Sequence, residues 1–201
     1  MNLPPRHLIG LHLRTRQTAR AVVALAATAA AVRASQHWTS GSGLFSQVVL
    51  LLLAAAAATA VATGAHNPFG EVERTASSPL PALRVTHLLT LTGTALAATA
   101  VAALITTYGV SGAAMLRNLA GFTGIALLTA GLLGAHLAWT VPLGYVLYCG
   151  GELDLHVGNL WTWPTRPGSD RAALAIALTL LAAGVALVSL TGARDRRSEQ
   201  T

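Results

Sequence analysis

Long apolar runs alternate with short polar segments along most of the chain. In the clearest run, residues 44–65, 22 consecutive positions carry no charged side chain. A helix rises about 1.5 Å per residue, so a run of this length crosses a hydrocarbon layer of ~30 Å. Similar runs cover residues 86–109, 120–139 and 171–190. This pattern predicts a series of membrane-spanning α-helices.

Two further helices are predicted from weaker patterns. Residues 21–32 form an apolar run of 12 positions between Arg20 and Arg33. Because further apolar runs follow it, we interpret it as a retained first helix rather than a signal peptide. Pro142 interrupts the chain after the fourth run and leaves an apolar stretch that is too short to cross a membrane. We therefore expect a short or broken fifth helix.

The fourth run carries a pattern of its own. Residues 110–118 form a short connection before it, and small residues then recur at every fourth position of residues 120–139. Such a stripe lies on one face of a helix and allows a second helix to approach closely. The predicted packing positions are Ala126, Ala130, Gly134 and Ala138.

Composition supports a membrane protein, since 53% of the 201 residues are hydrophobic and only 10% are charged. All thirteen basic residues are arginine. Without lysine, the chain can form neither a phosphate-binding loop of the P-loop type nor a Schiff base, so any ATP hydrolysis must come from a partner. Cys149 is the only cysteine, which excludes an internal disulfide.

The predicted fold is an all-α, polytopic integral membrane helical bundle with about six transmembrane helices. It comprises a basic N-terminal segment, residues 1–19, a single transmembrane domain, residues 20–191, and a C-terminal tail, residues 192–201. The tail bears three arginines and suits anionic lipid better than nucleic acid. We expect the protein in the cell membrane, as a multi-pass chain in contact with the lipid bilayer.

The distribution of arginine predicts the orientation. With both termini in the cytoplasm, nine arginines lie inside, and the positive-inside rule is satisfied. The loop of residues 66–85 is then cytoplasmic. Residues 152–170 form an external segment in which Trp161 and Trp163 lie at headgroup level. The four arginines assigned to the outside are Arg33, Arg117, Arg166 and Arg171.

The 66–85 loop is the most distinctive polar segment. Asn67 can cap a short helix that starts at Pro68, Glu71 lies near the positive end of its dipole, and Pro79 prevents its continuation. A charged, rigid helix between two membrane spans is suited to transmit force from a soluble partner.

The order of these features resembles the membrane subunits of ABC-2-type exporters. In that family a comparable acidic and arginine-bearing loop after the second helix docks on the ATPase. The matching positions here are Glu71, Glu73, Arg74, Pro79, Pro81 and Arg84. The chain departs from the family pattern at Thr75 and Ala76, which replace a usual glycine, and it is shorter than many permeases. It is also similar to actinobacterial integral membrane proteins.

The resemblance implies an exporter permease that is not itself an enzyme and holds no cofactor. It would be driven by a separate ABC ATPase subunit and paired with a second copy of the chain or a second permease subunit. Alternating access at that interface would follow nucleotide-dependent closure of the ATPase pair. Nucleic acid is not among the expected partners.

Two other functions fit the same sequence. In the first, the protein is a structural or regulatory polytopic membrane protein without transport activity, and the loop charges only fix topology. In the second, it is a membrane haem or metal-binding protein, since His66, His87 and His136 fall near one membrane level. None of the three has a histidine four positions away on a helix.

A continuous fourth helix would exclude an intramembrane protease by distance. Ser111 lies in a Gly-Val-Ser-Gly sequence, and His136 is its nearest candidate base. Along one continuous helix, 25 residues separate two side chains by about 37 Å, which is far beyond hydrogen-bond reach.

Overall fold

The computed structural model describes residue 30 and residues 44–64, 89–100, 112–152 and 160–191. These residues form helices, turns and short connections, and no strand occurs among them. The all-α prediction is therefore confirmed for this part of the chain. The α-helices are α1, Leu44–Gly64; α2, Leu89–Ala100; α3, Gly112–Leu133; α4, Thr140–Glu152; and α5, Arg171–Thr191. Two 3-10 helices, Ala135–Leu137 and Leu160–Thr165, join the last three.

Three of these helices are long and apolar enough to cross a membrane. The qualifying segments are Gln47–Gly64, Gly112–Leu133 and Arg171–Leu190. The bounds of α1 and α5 coincide closely with the predicted runs at 44–65 and 171–190. With 13 residues, α4 is short, as the interruption at Pro142 predicts.

The bounds predicted for the fourth span are wrong at both ends. Residues 112–118 are not a connection but the first two turns of α3, because the polar groups of Arg117 and Asn118 are satisfied inside the protein. At the other end, α3 stops at Leu133 rather than at Trp139. Gly134 follows with φ 103° and ψ 153°, a backbone conformation that is essentially confined to glycine.

The long helices α1, α3 and α5 run parallel to one another. Met115, near the start of α3, packs against Leu50 and Leu53 in the first half of α1. Between α3 and α5, Gly124 faces Leu180, and seven residues later Gly131 faces Leu187. Residue numbers at the contacts therefore increase in the same direction along α3 and α5, which shows that these two helices are parallel. The starts of α1, α3 and α5 therefore lie at one end of the bundle, which we call the Arg117 end.

Helix α4 runs back against α1 and α3. After Leu133 the chain reverses through the 3-10 turn, and Gly150 near the end of α4 reaches Val48 near the start of α1 at 3.5 Å. The segment Leu160–Asp170 then occupies the Arg117 end and leads into α5.

Helix α3 is the centre of the bundle, and fifteen of its 22 residues are buried. Its side chains Leu119, Phe122 and Leu127 join one apolar cluster with residues of α1, α2 and α4. In contrast, α5 turns Leu174, Leu178 and Leu190 outward. An outward apolar face on a long helix is the pattern of a helix that lies against lipid.

Hydroxyl groups within the helices are mostly satisfied by their own backbone. In α2, Thr94 and Thr99 donate to the carbonyls of Thr90 and Ala95, at 2.7 and 2.9 Å. Among the described residues, Thr92 is the buried exception whose Oγ1 has no hydrogen-bond partner.

Candidate functional site

The residues predicted to couple the protein to an ATPase lie outside the described residues, because the structure leaves out residues 65–88. They are Glu71, Glu73, Arg74, Pro79, Pro81 and Arg84. The structure does describe both attachment points of this segment. Val61 and Ala62, in the last turn of α1, belong to the same apolar cluster as Leu91 and Ala95 of α2.

The predicted packing stripe is buried throughout, since Ala126, Ala130, Gly134 and Ala138 all lie in the interior. It is not one helix face, however. The stripe prediction assumed a continuous helix, and α3 ends before Gly134. The closest approach between helices occurs instead where α3 crosses α5. A Cβ built on Gly184 would lie 2.6 Å from the Gly124 carbonyl oxygen, a distance that real Cβ atoms essentially never show.

The most elaborate polar arrangement in the described residues surrounds Arg117. This side chain is 2% exposed. Its Nη1 donates to the carbonyl of Pro167 at 2.7 Å, and its Nη2 donates to the carbonyls of Arg166 and Pro164 at 2.8 and 3.1 Å. Its Nε donates to Asn118 Oδ1 at 3.1 Å. The guanidinium is thus held by four oxygen atoms, three of them backbone carbonyls from one distant segment.

We call that segment, Leu160–Asp170, the cap segment. Two further side chains hold it. Asn118 Nδ2 donates to the Pro164 carbonyl at 2.8 Å, and the Tyr145 hydroxyl donates to the Trp161 carbonyl. The donors come from α3 and α4, and the acceptors are backbone carbonyls of the cap segment. Its fold at this point therefore depends on side chains 16 to 50 residues away.

An aromatic group lies beneath the cap segment. The ring of Tyr145 stacks between those of Tyr148 and Trp163, with centroids at 6.2 and 6.4 Å, and Phe122 meets Trp163 at 5.9 Å. Trp163 can lie against α3 only because residue 121 is glycine, since a Cβ there would overlap the indole. Each such ring pair contributes about 0.5–1.5 kcal/mol beyond the area it buries.

The two tryptophans of the cap segment have different environments. Trp161 is 70% exposed, which suits the predicted position at headgroup level, whereas Trp163 is 2% exposed and packs inside the protein. Trp163 thus packs inside the protein rather than on its surface, and the headgroup level of the two rings stays a prediction. An indole enclosed by Phe122, Tyr145 and Gly121 gains more contact than one at a membrane surface.

The cap segment ends at the start of α5. Asp170 Oδ1 accepts hydrogen bonds from the backbone N–H groups of Ala172 and Ala173 at 2.8 and 3.1 Å, the geometry of a helix N-cap. Its Oδ2 accepts a charge-assisted hydrogen bond from Arg166 at 3.0 Å. The Ala173 N–H is the main cause that lowers the pKa of Asp170, and Arg166 adds to it.

The described residues contain no group of three or more histidine, cysteine, aspartate and glutamate side chains close enough to hold a metal ion. Of the three histidines considered for a haem or metal site, only His136 is described; it is exposed, and it lies in the 3-10 turn after α3. His66 and His87 lie outside the described residues, as does Ser111.

The sequence does not reveal the cap segment and its donors as a unit. One indication was available: Arg117 and Asn118 form an adjacent polar pair at the edge of an apolar run, and the segment Trp161–Pro167 is rich in proline and aromatic residues. Nothing in the sequence indicates that the two stretches meet.

No protein family, curated protein or solved structure matches the chain. The described part defines a helical bundle with three helices suited to cross a membrane. The chemistry of the Arg117 site is donation to backbone carbonyls, which positions a polypeptide segment. A functional assignment therefore rests on the chain itself.

Proposed function

We propose that the protein is a multi-pass integral membrane subunit of an ABC-type transporter, an exporter permease that works with a separate ATPase in the cell membrane. The observation that carries this proposal is the acidic and arginine-bearing loop, residues 66–85, between two apolar helices. Six spans and cytoplasmic termini belong to the same proposal.

Three features of the described helices support a membrane location. Three helices reach the length that a bilayer requires. Their surfaces carry exposed leucines, most clearly Leu174, Leu178 and Leu190 on α5. Hydroxyl groups on these helices, such as that of Thr179, bond to their own backbone, so they need no water.

The attachment of the loop supports a role in force transmission. The loop leaves α1 after Gly64 and re-enters at α2, and both helices contribute to the apolar cluster around α3. A displacement of the loop by a partner would therefore move helices that are packed on the central helix. Closely packed interiors transmit such displacements because they have few voids.

In this mechanism Glu71, Glu73 and Arg74 make charge-assisted contacts with the ATPase. Nucleotide-dependent closure of the ATPase pair then moves the loop, and the helices exchange one packing arrangement for another. A second copy of the chain or another permease subunit completes the transport interface.

The test is co-purification with a candidate ABC ATPase from the same organism, followed by replacement of Glu71, Glu73 and Arg74 by alanine. We expect the triple variant to lose ATPase binding and stimulation while it remains in the membrane fraction. A matched control is Asp195→Ala, Arg196→Ala and Glu199→Ala in the tail, which removes the same charges elsewhere. If the loop variant binds and stimulates the ATPase as well as this control does, the coupling proposal is wrong.

The second candidate is a structural or regulatory membrane protein without transport activity. The Arg117 site favours it, because its donors hold a backbone segment of the protein itself. An ATPase that fails to co-purify with the unmodified chain would support this candidate over the permease.

A further inference from the structure

The cap segment is held unevenly. Its polar attachments converge on three side chains, Arg117, Asn118 and Tyr145. Its main apolar attachment is Trp163, which lies over Gly121. On either side of these contacts the segment packs little: Leu160 and Trp161 are 59% and 70% exposed, and Pro167 and Ser169 are also exposed. Arg117, Asn118 and Tyr145 are therefore the donors that tie the middle of the segment to α3 and α4.

The backbone carbonyls that these side chains hold could bond to water instead. The cap segment is at the Arg117 end of the bundle, so its carbonyls can bond to water once they are released. Arg117 also has an alternative. It lies five residues after Gly112, about 7.5 Å along the helix, and an arginine this close to a helix end can extend to the headgroup region. Neither partner is left unsatisfied in the open state.

We propose that the cap segment, Leu160–Asp170, is a lid over the Arg117 end of the bundle and that Arg117 is its latch. In the closed state the guanidinium binds the carbonyls of Pro164, Arg166 and Pro167. In the open state the segment lifts, Trp163 leaves the recess above Gly121, and the helices stay folded. Arg117 is a positioning residue, and this inference stands without the ATPase coupling.

The closed and open states differ in the exposure of a single side chain. Thr162 is 4% exposed in the closed state and lies between Trp161 and Trp163 on the lid. The native Cys149 is completely buried in the apolar cluster of α3 and α4. A cysteine at position 162 therefore reports lid opening, while Cys149 in the same molecule reports unfolding of the bundle.

The experiment measures the rate at which a membrane-impermeant maleimide labels each cysteine of the full chain in phospholipid nanodiscs, read by peptide mass spectrometry. Thr162→Cys is the reporter, and Ser169→Cys, at an exposed turn, gives the rate of an open thiol. Arg117→Lys keeps the positive charge but removes the guanidinium group, whose several N–H donors bind the carbonyls. We expect it to accelerate labelling at position 162 about tenfold or more, because several charge-assisted hydrogen bonds are lost. Cys149 should stay protected.

A second variant separates the latch from a general structural role. In Arg117→Ala, free guanidinium at low millimolar concentration should bind the vacated carbonyls and slow the labelling at position 162 again. Unchanged labelling at position 162 in Arg117→Lys would refute the latch. An equal increase in the labelling rate of Cys149 would also refute it, because the bundle would then be unfolding rather than the lid opening.

If Arg117→Lys lacks native helicity, Tyr145→Phe decides the question. This change removes only the hydroxyl that donates to the Trp161 carbonyl. Faster labelling at position 162 with a protected Cys149 supports a lid, and an unchanged rate overturns it.

Discussion

Gly124 and Gly184 meet where α3 crosses α5, and the Gly124 carbonyl oxygen lies 2.6 Å from the position that a Cβ on Gly184 would take. A methyl group cannot enter this space unless the two backbones separate. That separation would disturb α3, which is the most buried of the three long helices in the described residues.

We therefore expect Gly184→Ala to destabilise the bundle by about 1–3 kcal/mol, the usual cost of overpacking a core. Loss of helicity during titration with a denaturing detergent would measure it. Gly144→Ala is the matched control, since no atom lies within 4 Å of its added Cβ. In an open helical position alanine gains up to about 1 kcal/mol over glycine. Equal effects of the two changes would show that the crossing is looser than described.

The contact between Gly121 and Trp163 gives a spectroscopic prediction. In Gly121→Ala the added methyl group overlaps the indole, so Trp163 must leave its recess. We expect a red shift of tryptophan emission and greater quenching by acrylamide, because a buried ring becomes solvated. Gly150→Ala is the control, as its Cβ would make an ordinary 3.5 Å contact with Val48. An unchanged spectrum in Gly121→Ala would mean that Trp163 has another stable position.

Asn118 supports both Arg117 and the cap segment, since it accepts from Nε and donates to the Pro164 carbonyl. Asn118→Ala leaves one buried donor and weakens one buried acceptor site. We expect a loss of about 1–3 kcal/mol in stability. Thr179→Val on α5 removes an exposed hydroxyl and should change stability by less than about 0.5 kcal/mol. A cost for Asn118→Ala as small as that of this control would show that water replaces the amide.

The Asp170 N-cap predicts an effect of pH. The pKa of this carboxyl is lowered in the folded protein, mainly by the Ala173 N–H and next by Arg166. Its stabilising contribution is complete above the unfolded pKa of about 3.9 and is lost as the pH falls through the lowered folded value. Amide hydrogen exchange at Ala172 and Ala173 should therefore accelerate in that acidic window relative to the middle of α5. Asp170→Asn keeps an acceptor oxygen without a titrating carboxyl, so the same acidic acceleration in this variant would refute the assignment.

The sequence predicts best those helices whose own residues are enough to indicate them, without any distant partner. Residues 44–65 and 171–190 contain no internal polar residue that requires a distant partner, and hydrophobicity alone indicates α1 and α5. The start of α3 was not predictable in this way. Arg117 and Asn118 appear as a polar connection in the sequence, and only the carbonyls of Pro164, Arg166 and Pro167 make their burial favourable.

Two other features could not be predicted from the sequence: the residue at which α3 ends and the burial of Trp163. Gly134 resembles other small residues of the predicted stripe, and its positive φ depends on how the chain must turn toward α4. Trp161 and Trp163 are equivalent in sequence terms, and the recess above Gly121 distinguishes them. A contact across some forty residues decides the case of Trp163, whereas the turn between α3 and α4 decides that of Gly134. The coupling loop stays a prediction, since it lies among residues 65–88.

The parallel arrangement of α1, α3 and α5 has an electrical consequence. Each helix carries about half a positive charge at its N-terminus and half a negative charge at its C-terminus. Three aligned helices add these charges, so the Arg117 end is positive and the opposite end is negative. The chain leaves the negative end of α1 toward Arg74 and Arg84, and that of α5 toward Arg194, Arg196 and Arg197. These arginines therefore follow, in the sequence, the two helix ends whose negative partial charge they can offset.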